Sequence, residues 1–324
     1  MRTRFLAVTT ALALAGASAA TAEPFTFVAL GDMPYGQPEE VFPPFETLID
    51  TINQRAPAFT IHIGDTKSGG TPCSDQMLKA QLDYLNSFES AVVYTPGDNE
   101  WTDCHREAAG AFDPLERLAH IRATYFDQPS ASFGQKPIDV ESQAVVMADA
   151  YAGFPENVRF ARDGVHFVTA HVVGSNNNFE VRDADAALEF FARDAANVAW
   201  LADSFDQAAA SDARALVLAI HADMFEFDFD EFGEEGFLRH SGFKNFGETL
   251  VAKAPAFGRP VLLIFGDSHV FRVFRPFPVT AGNVVALEVF GADDMHAVEV
   301  SVDPDDPAVF GFTPLLNPAL DAAM

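Results

Sequence analysis

Phe59-Thr60-Ile61-His62-Ile63-Gly64-Asp65 is a short apolar run halted by a glycine and an aspartate. The same design recurs at Phe27–Asp32, Ala91–Asp98 and Val261–Asp267. Runs of this length, rich in Val, Ile, Leu and Phe and closed by a turn residue, read as buried strands. In an α/β sheet the loops at the carboxyl ends of parallel strands share one edge, where ligands bind. One Gly-Asp is an ordinary turn after a strand. Four of them bring Asp32, Asp65, Asp98 and Asp267 to that edge. At ~4 Å and an intermediate effective dielectric, each pair of carboxylates repels by roughly 4 kcal/mol. Protons or cations must neutralise such a cluster, and bound divalent metal is the expected answer.

The spacing from Asp32 to Asp65 is 33 residues and from Asp65 to Asp98 again 33, which reads as two consecutive βα units. Helices are predicted over Val41–Gln54, Asp75–Phe88, Pro114–Tyr125 and Asp183–Phe205. In the last, Leu188, Phe191, Ala195, Val198, Leu201 and Phe205 recur at steps of three and four as the core face, and Trp200 is assigned to the core. Gly164–Val173 reads as a strand that runs into the polar loop Gly174-Ser175-Asn176-Asn177-Asn178. Ala213–Ile220 is a strand that sets His221 at its end. After the fourth Gly-Asp come Ser268 and His269, and then two closing strands, Val284–Phe290 and Ala297–Val302. Asp127–Val140 reads as exposed loop. The Phe- and acid-rich segment Ala222–Gly247 alternates as a half-buried strand does, with a lid or a partner-facing loop as the other reading. No linker divides residues 23–324, so one domain is expected.

The chain opens with Arg2 and Arg4, an apolar segment from Phe5 and small residues ending in Ala20-Thr21-Ala22. That is the pattern of a secretory signal peptide over residues 1–22, with a periplasmic or extracellular mature chain. No stretch reaches transmembrane length. The net charge of −27 becomes −29 once the two arginines leave with that segment, which contains no acid. A polyanion of this size argues against nucleic acid or an anionic membrane as the main partner. The two cysteines, Cys73 and Cys104, form a disulfide by default in an exported chain.

Gathering the strand ends gives Asp32, Asp65, Asp98, His221, Asp267 and His269. Carboxylates with imidazole suit Mn²⁺, Fe, Zn²⁺ or Mg²⁺. The order of these motifs resembles the calcineurin-like metallophosphoesterase superfamily, with purple acid phosphatases as relatives. That family reads Asp-x-His, Gly-Asp, Gly-Asn-His-Asp/Glu, a lone His after a strand, and Gly-His-x-His. Here the slots hold Asp32-Met33-Pro34, Gly64-Asp65, Gly97-Asp98-Asn99-Glu100, His221 and Gly266-Asp267-Ser268-His269, across Phe25 to Arg272.

The resemblance implies an α/β chain built as a β-sandwich flanked by helices (αββα), with two divalent metal ions at the carboxyl ends of strands. Asp65 would bridge the ions, Asp32 and His269 would hold the first, and Asp98, His221 and Asp267 the second. It also implies hydrolysis of a small phosphate ester by water activated between the metals. The departures are Pro34 in place of the first-site histidine, with Tyr35 beside it as a substitute ligand, and Asp98 and Asp267 in place of Asn and His. Asn99 occupies the slot of the histidine that acts on the leaving group. His105 is a second candidate for contact with substrate, and Asn176 a candidate substrate or auxiliary ligand. His62 and His171 are read as core or supporting histidines. Two other functions stay open: a metal-retaining binding protein on the same scaffold, and a calcium-stabilised surface protein.

Overall fold

Strand β1 (Phe25–Leu30) is apolar on both sides of its pleat, and each side meets a different layer. β2 (Thr60–His62) and β3 (Val92–Tyr94) extend it in parallel, with Val28 opposite Thr60 and Thr60 opposite Val92. The computed structural model describes residues 22–180, 183–225 and 241–321. The second sheet begins with β4 (Glu141–Ser142), β5 (Val158–Arg162), β6 (Val165–Thr169) and β7 (Ala215–Ala219). It is completed by β8 (Val261–Phe265), β9 (Arg272–Phe274) and β10 (Val284–Glu288). β11 (Ala297–Val302) and β12 (Phe310–Leu315) return to the first sheet and pair antiparallel beside β1. The strand orders are β12-β11-β1-β2-β3 and β4-β5-β6-β7-β8-β10-β9, and β6, β7, β8 and β10 run parallel.

Phe27, Ala29, Phe59 and Ile61 of the first sheet pack against Phe167, Val217, Leu262 and Ile264 of the second. Rings carry much of this middle layer: Phe27 stacks on Phe59 at 5.2 Å, and Phe59 meets Phe167 edge-on at 4.9 Å. On the outer side Val28, Leu30 and Val92 bury α1 (Pro38–Arg55), α2 (Asp75–Leu85) and α3 (Pro114–Thr124) through Phe45, Ile52, Leu78 and Ile121. Three short helices follow: α4 (Gln143–Val146), α5 (Ala148–Tyr151) and α6 (Gly174–Asn177). The far face of the second sheet packs on α7 (Ala184–Ala210) and α8 (Lys244–Phe257), with Trp200, Leu201, Phe205 and Leu250 in the contact. This is the helix–sheet–sheet–helix architecture that the resemblance implies.

Three expectations change. Leu188 and Phe191 stand 67 % and 55 % exposed, so the buried face of α7 is Phe190, Arg193, Asn197, Trp200, Leu201 and Ser204. The polar members are inside because they bond loop backbone: Arg193 Nη1 and Asn197 Nδ2 both donate to the His171 carbonyl at 2.7 Å. Within Asp127–Val140, Phe133 exchanges both backbone hydrogen bonds with Val92 at 2.8 Å, so that stretch covers an edge of β3. The end of the Ala222–Gly247 segment is the start of α8, not strand, while its residues 226–240 lie outside the described residues. Residues 1–21 of the expected signal peptide also lie outside them. No described helix is long and apolar enough to cross a membrane.

Candidate metal centre

β1, β2 and β3 of one sheet and β7 and β8 of the other end at one edge of the sandwich. Asp32, Asp65, Asp267 and His269 each turn there with positive φ, at 54°, 53°, 75° and 64°. Such backbone costs about 1–3 kcal/mol per non-glycine residue and persists only where its surroundings fix it. The glycines of the motifs supply part of that fixing. A Cβ on Gly97 would overlap the Asp65 carboxylate, and one on Gly266 would overlap that of Asp32. The glycine of one Gly-Asp therefore makes room for the aspartate of another.

Hydrogen bonds orient each carboxylate. Asp65 accepts from Asn99 N (2.9 Å), from Tyr35 Oη (2.6 Å) and from Asn99 Nδ2. Asp32 accepts from Asp267 N at 3.2 Å, Asp98 from Ser175 Oγ at 2.8 Å, and Asp267 from Asp223 N at 3.3 Å. Behind them Glu100, fully buried, ties the β2 and β3 loops together by accepting from Asp65 N (3.1 Å), Gly97 N (3.0 Å) and Thr66 Oγ1 (2.7 Å). Cys73 and Cys104 form a disulfide across the same two loops.

His221 tests whether the cluster fits a cation. Its Nδ1 lies 3.0 Å from the carbonyl of Ile63, which can only accept, so Nδ1 carries the hydrogen. Nε2 is then a lone pair in the neutral ring, buried, with no hydrogen-bond partner. It lies 3.3 Å from Asp98 Oδ1, 3.5 Å from Asp65 Oδ1 and 3.8 Å from Asp267 Oδ1. An acceptor facing three acceptors in a buried site is repulsive unless a proton or cation lies between them. Asp32, Asp65 and His221 form one group with ligand atoms within 4.8 Å of one another, and Asp98, His221 and Asp267 form a second. The residues present fit a divalent cation.

Without a cation, protons do this work. Burial pushes Asp32 up to about 7 against the opposing pull of His221, and it raises Asp65 well above the carboxylate range. Burial alone would lower His221, but Asp65, Asp98, Asp267 and Asp32 outweigh it and raise the ring well above 6.5. Asp98 also feels burial, yet the attraction of the nearby His221 ring and the Ser175 hydroxyl hold it down at about 2.

His269 Nε2 lies 3.7 Å from Asp32 Oδ1, and its ring meets that of Tyr35 edge-on at 5.2 Å. Asn99 and Tyr35 stand at the cluster. Asn176 and His105 do not. The Asn176 amide is spent on Phe179 O, Ser241 Oγ and Gly242 N. His105 is exposed, held by Thr102 O at 2.7 Å, and lines a separate cavity. His62 and His171 are buried supports: His62 Nδ1 accepts from Gly64 N, and His171 Nδ1 bonds Glu156. Two site residues escape sequence reading. Glu100 stands in a motif slot without a signal of its own, and Ser175 in the Gly-Ser-Asn-Asn-Asn loop, whose run of turn formers is its one signal.

No family model matches the sequence, and no curated protein matches it. Among solved structures, the chain is similar to the purple acid phosphatase PPD1 from yellow lupin (Lupinus luteus) seeds, at 11 % identity and a TM-score of 0.46. That match covers 94 % of this chain but only 56 % of the lupin protein. A second likeness, to TT1561 of Thermus thermophilus, has 9 % identity and a TM-score of 0.43 and covers 90 % of this chain and 99 % of that one.

Proposed function

We propose, from a calcineurin-like metallophosphoesterase fold with an Asp/His cluster at its strand ends, that this protein is an exported, metal-dependent phosphoesterase acting on a small phosphate ester. The observation that carries the reading is the buried, unpartnered Nε2 of His221 facing three carboxylates. In the proposed ligand set Asp65 is shared, Asp32 and His269 serve one ion, and Asp98, His221 and Asp267 serve the other. Held there, divalent ions would supply Lewis acidity toward a phosphoryl oxygen and would lower the pKa of a water.

The chain's own groups do the rest. His269 stands at the open side, with its side chain 31 % exposed. Burial, with Asp65 and Asp32 nearby, raises the Tyr35 phenol well above 10, so it stays a hydrogen-bond donor. The Asn99 amide is committed to Tyr35 and Asp65 and has no proton to transfer near neutral pH. The disulfide is in keeping with export.

The alternative is a metal-retaining binding protein, favoured by one observation: Asn99 is tied to Asp65 and Tyr35 where the resembled family has an imidazole. Metal analysis of the purified mature chain, followed by assay of aryl mono- and diesters with Mn²⁺, Fe²⁺, Zn²⁺ or Mg²⁺, separates the two. Turnover that a chelator removes and Asp65→Asn abolishes supports the esterase. Stoichiometric metal without turnover of any ester leaves the binding protein.

A further inference from the structure

The loop after β6 has a backbone that L residues rarely adopt. Ser175, Asn176, Asn177 and Asn178 all have positive φ, at 53°, 51°, 55° and 60°, so α6 is a single left-handed turn. Four such residues in a row are strained, and strain of this kind gathers at functional sites. The surroundings hold it. The buried Arg193 donates through Nη1 to Asn177 Oδ1 at 2.5 Å and through Nη2 to Asn177 O at 2.9 Å. Gly242 donates to Asn176 Oδ1 at 2.9 Å and accepts from Asn177 Nδ2 at 3.0 Å.

The turn joins the metal centre to a cavity. At Gly174 a Cβ would lie 2.7 Å from Oδ2 of both Asp98 and Asp267, so only glycine lets the backbone come this close. The next residue, Ser175, sets its Oγ 2.8 Å from Asp98 Oδ2 and 3.2 Å from Asp103 Oδ1. A hydroxyl has one hydrogen and serves one of these at a time. Ser175 is also exposed, and it forms the wall of a cavity of about 520 Å³. The cavity thus begins one hydrogen bond from a proposed metal ligand.

Its lining selects what enters. Arg106 is matched to Asp103 at 2.6 Å. Asp113 and Asp183 each cap a helix through Oδ1 alone, accepting from Leu115 and Glu116 N and from Asp185 and Ala186 N. Their Oδ2 atoms have no hydrogen bond among the described residues. A hydrocarbon chain packed there would strip water from those oxygens and replace nothing, whereas hydroxyl or ammonium groups would satisfy them.

We propose that this cavity receives the alcohol portion of the ester, that this alcohol donates hydrogen bonds as a polyol or amino alcohol does, and that Ser175 touches the ester where its two parts meet. The proposal rests on the phosphoesterase reading for the position of the phosphoryl group.

Equilibrium binding tests it without requiring turnover. The Mn²⁺-loaded full chain is titrated in a calorimeter with inorganic phosphate, methyl phosphate, butyl phosphate, glycerol phosphate and phosphoethanolamine. Glycerol phosphate, phosphoethanolamine or both should bind at least tenfold tighter than butyl phosphate, and which of them leads identifies polyol or amino alcohol. Ala186→Trp, which puts a large ring into the cavity lining, should bring the glycerol-to-methyl and ethanolamine-to-methyl affinity ratios close to one. Ser175→Ala should weaken every ester, while the glycerol-to-methyl and ethanolamine-to-methyl affinity ratios stay as in the wild type. Butyl phosphate binding as tightly as both polar esters, or ratios unmoved in Ala186→Trp, would overturn the cavity assignment while leaving the centre's reading intact. Failure of inorganic phosphate itself to bind the metal-loaded chain would overturn both.

Discussion

Asn99 spends its side chain inside the cluster, with Nδ2 donating to Asp65 Oδ2 and, at 2.9 Å, to Tyr35 Oη. A carboxamide so committed cannot protonate a departing alkoxide. General-acid help is worth ~10²–10⁴-fold and matters most for poor leaving groups. Aryl phosphates should therefore be cleaved at least about a hundredfold faster than alkyl phosphates, with a steep dependence on leaving-group pKa. Asn99→His should gain mainly on alkyl esters, and His105→Ala should change little. A shallow dependence in the wild type that His105→Ala makes steep would place the acid at His105, on the cavity wall. Asp65 carries the complementary expectation. It lies within reach of His221 Nε2 and holds bonds from Asn99 and Tyr35, so Asp65→Asn should lose more bound metal than Asp98→Asn. Equal metal content in the two variants by elemental analysis would refute a shared role for Asp65.

At the scale of elements, the Gly-Asp turns were legible because a buried parallel strand has a composition of its own and a turn residue stops it. Why a glycine precedes each aspartate was not, since the overlap it avoids is with a residue some thirty to more than two hundred positions away. Gly266→Ala should therefore disturb Asp32 before it disturbs β8, with metal content falling and overpacking costing about 1–3 kcal/mol. Normal metal content in a folded Gly266→Ala chain would contradict the interlock. The face of α7 misled for the opposite reason. Leu188 and Phe191 keep helical spacing, yet α6 and its backbone bonds claim the inner side for Arg193 and Asn197. Periodicity counts apolar residues and does not see a polar side chain drawn inward by loop carbonyls. The disulfide was legible from two cysteines in a chain read as exported. It closes a loop of sequence separation 31 between the β2 and β3 loops, and the double Cys73→Ser, Cys104→Ser chain should lose about 2–4 kcal/mol by denaturant midpoint. An unchanged midpoint would mean that the hydrogen bonds of Glu100 already hold those loops.

For the whole molecule, the site edge could be read because six ionisable residues stand directly after strands, whereas Glu100 and Ser175 act through partners that only the folded chain supplies. β4, β9 and β12 were missed because short or edge strands carry little periodic signal, and β5 because two arginines interrupt its apolar run. The concentration of acid at one edge has a consequence for stability. Asp32, pushed up to about 7 by burial, binds its proton more tightly folded than unfolded, as do Asp65 and His221, each raised well above its ordinary value. Each such group contributes stability that is present at low pH and lost as pH rises through its folded value. His62 and His171 act the other way, since burial lowers them to about 3 and about 4, but their unfolded imidazoles have released their protons by about pH 7. Lys67, lowered by burial, also opposes the trend; one amine stands against two carboxylates and an imidazole. As pH rises from about 6 to about 8, through the folded value of Asp32, the metal-free chain should lose stability. Metal reverses the sign, because an ion competes with those same protons and binds more tightly as they leave. The increment in unfolding midpoint on adding Mn²⁺ should then be larger at the higher pH. Denaturant unfolding with chelator and with Mn²⁺, at the two pH values, measures both slopes. A metal-free chain equally stable at both, with a metal increment independent of pH, would mean that the carboxylates are not held together by protons when metal is gone, and the cluster would lose its claim to be a metal centre.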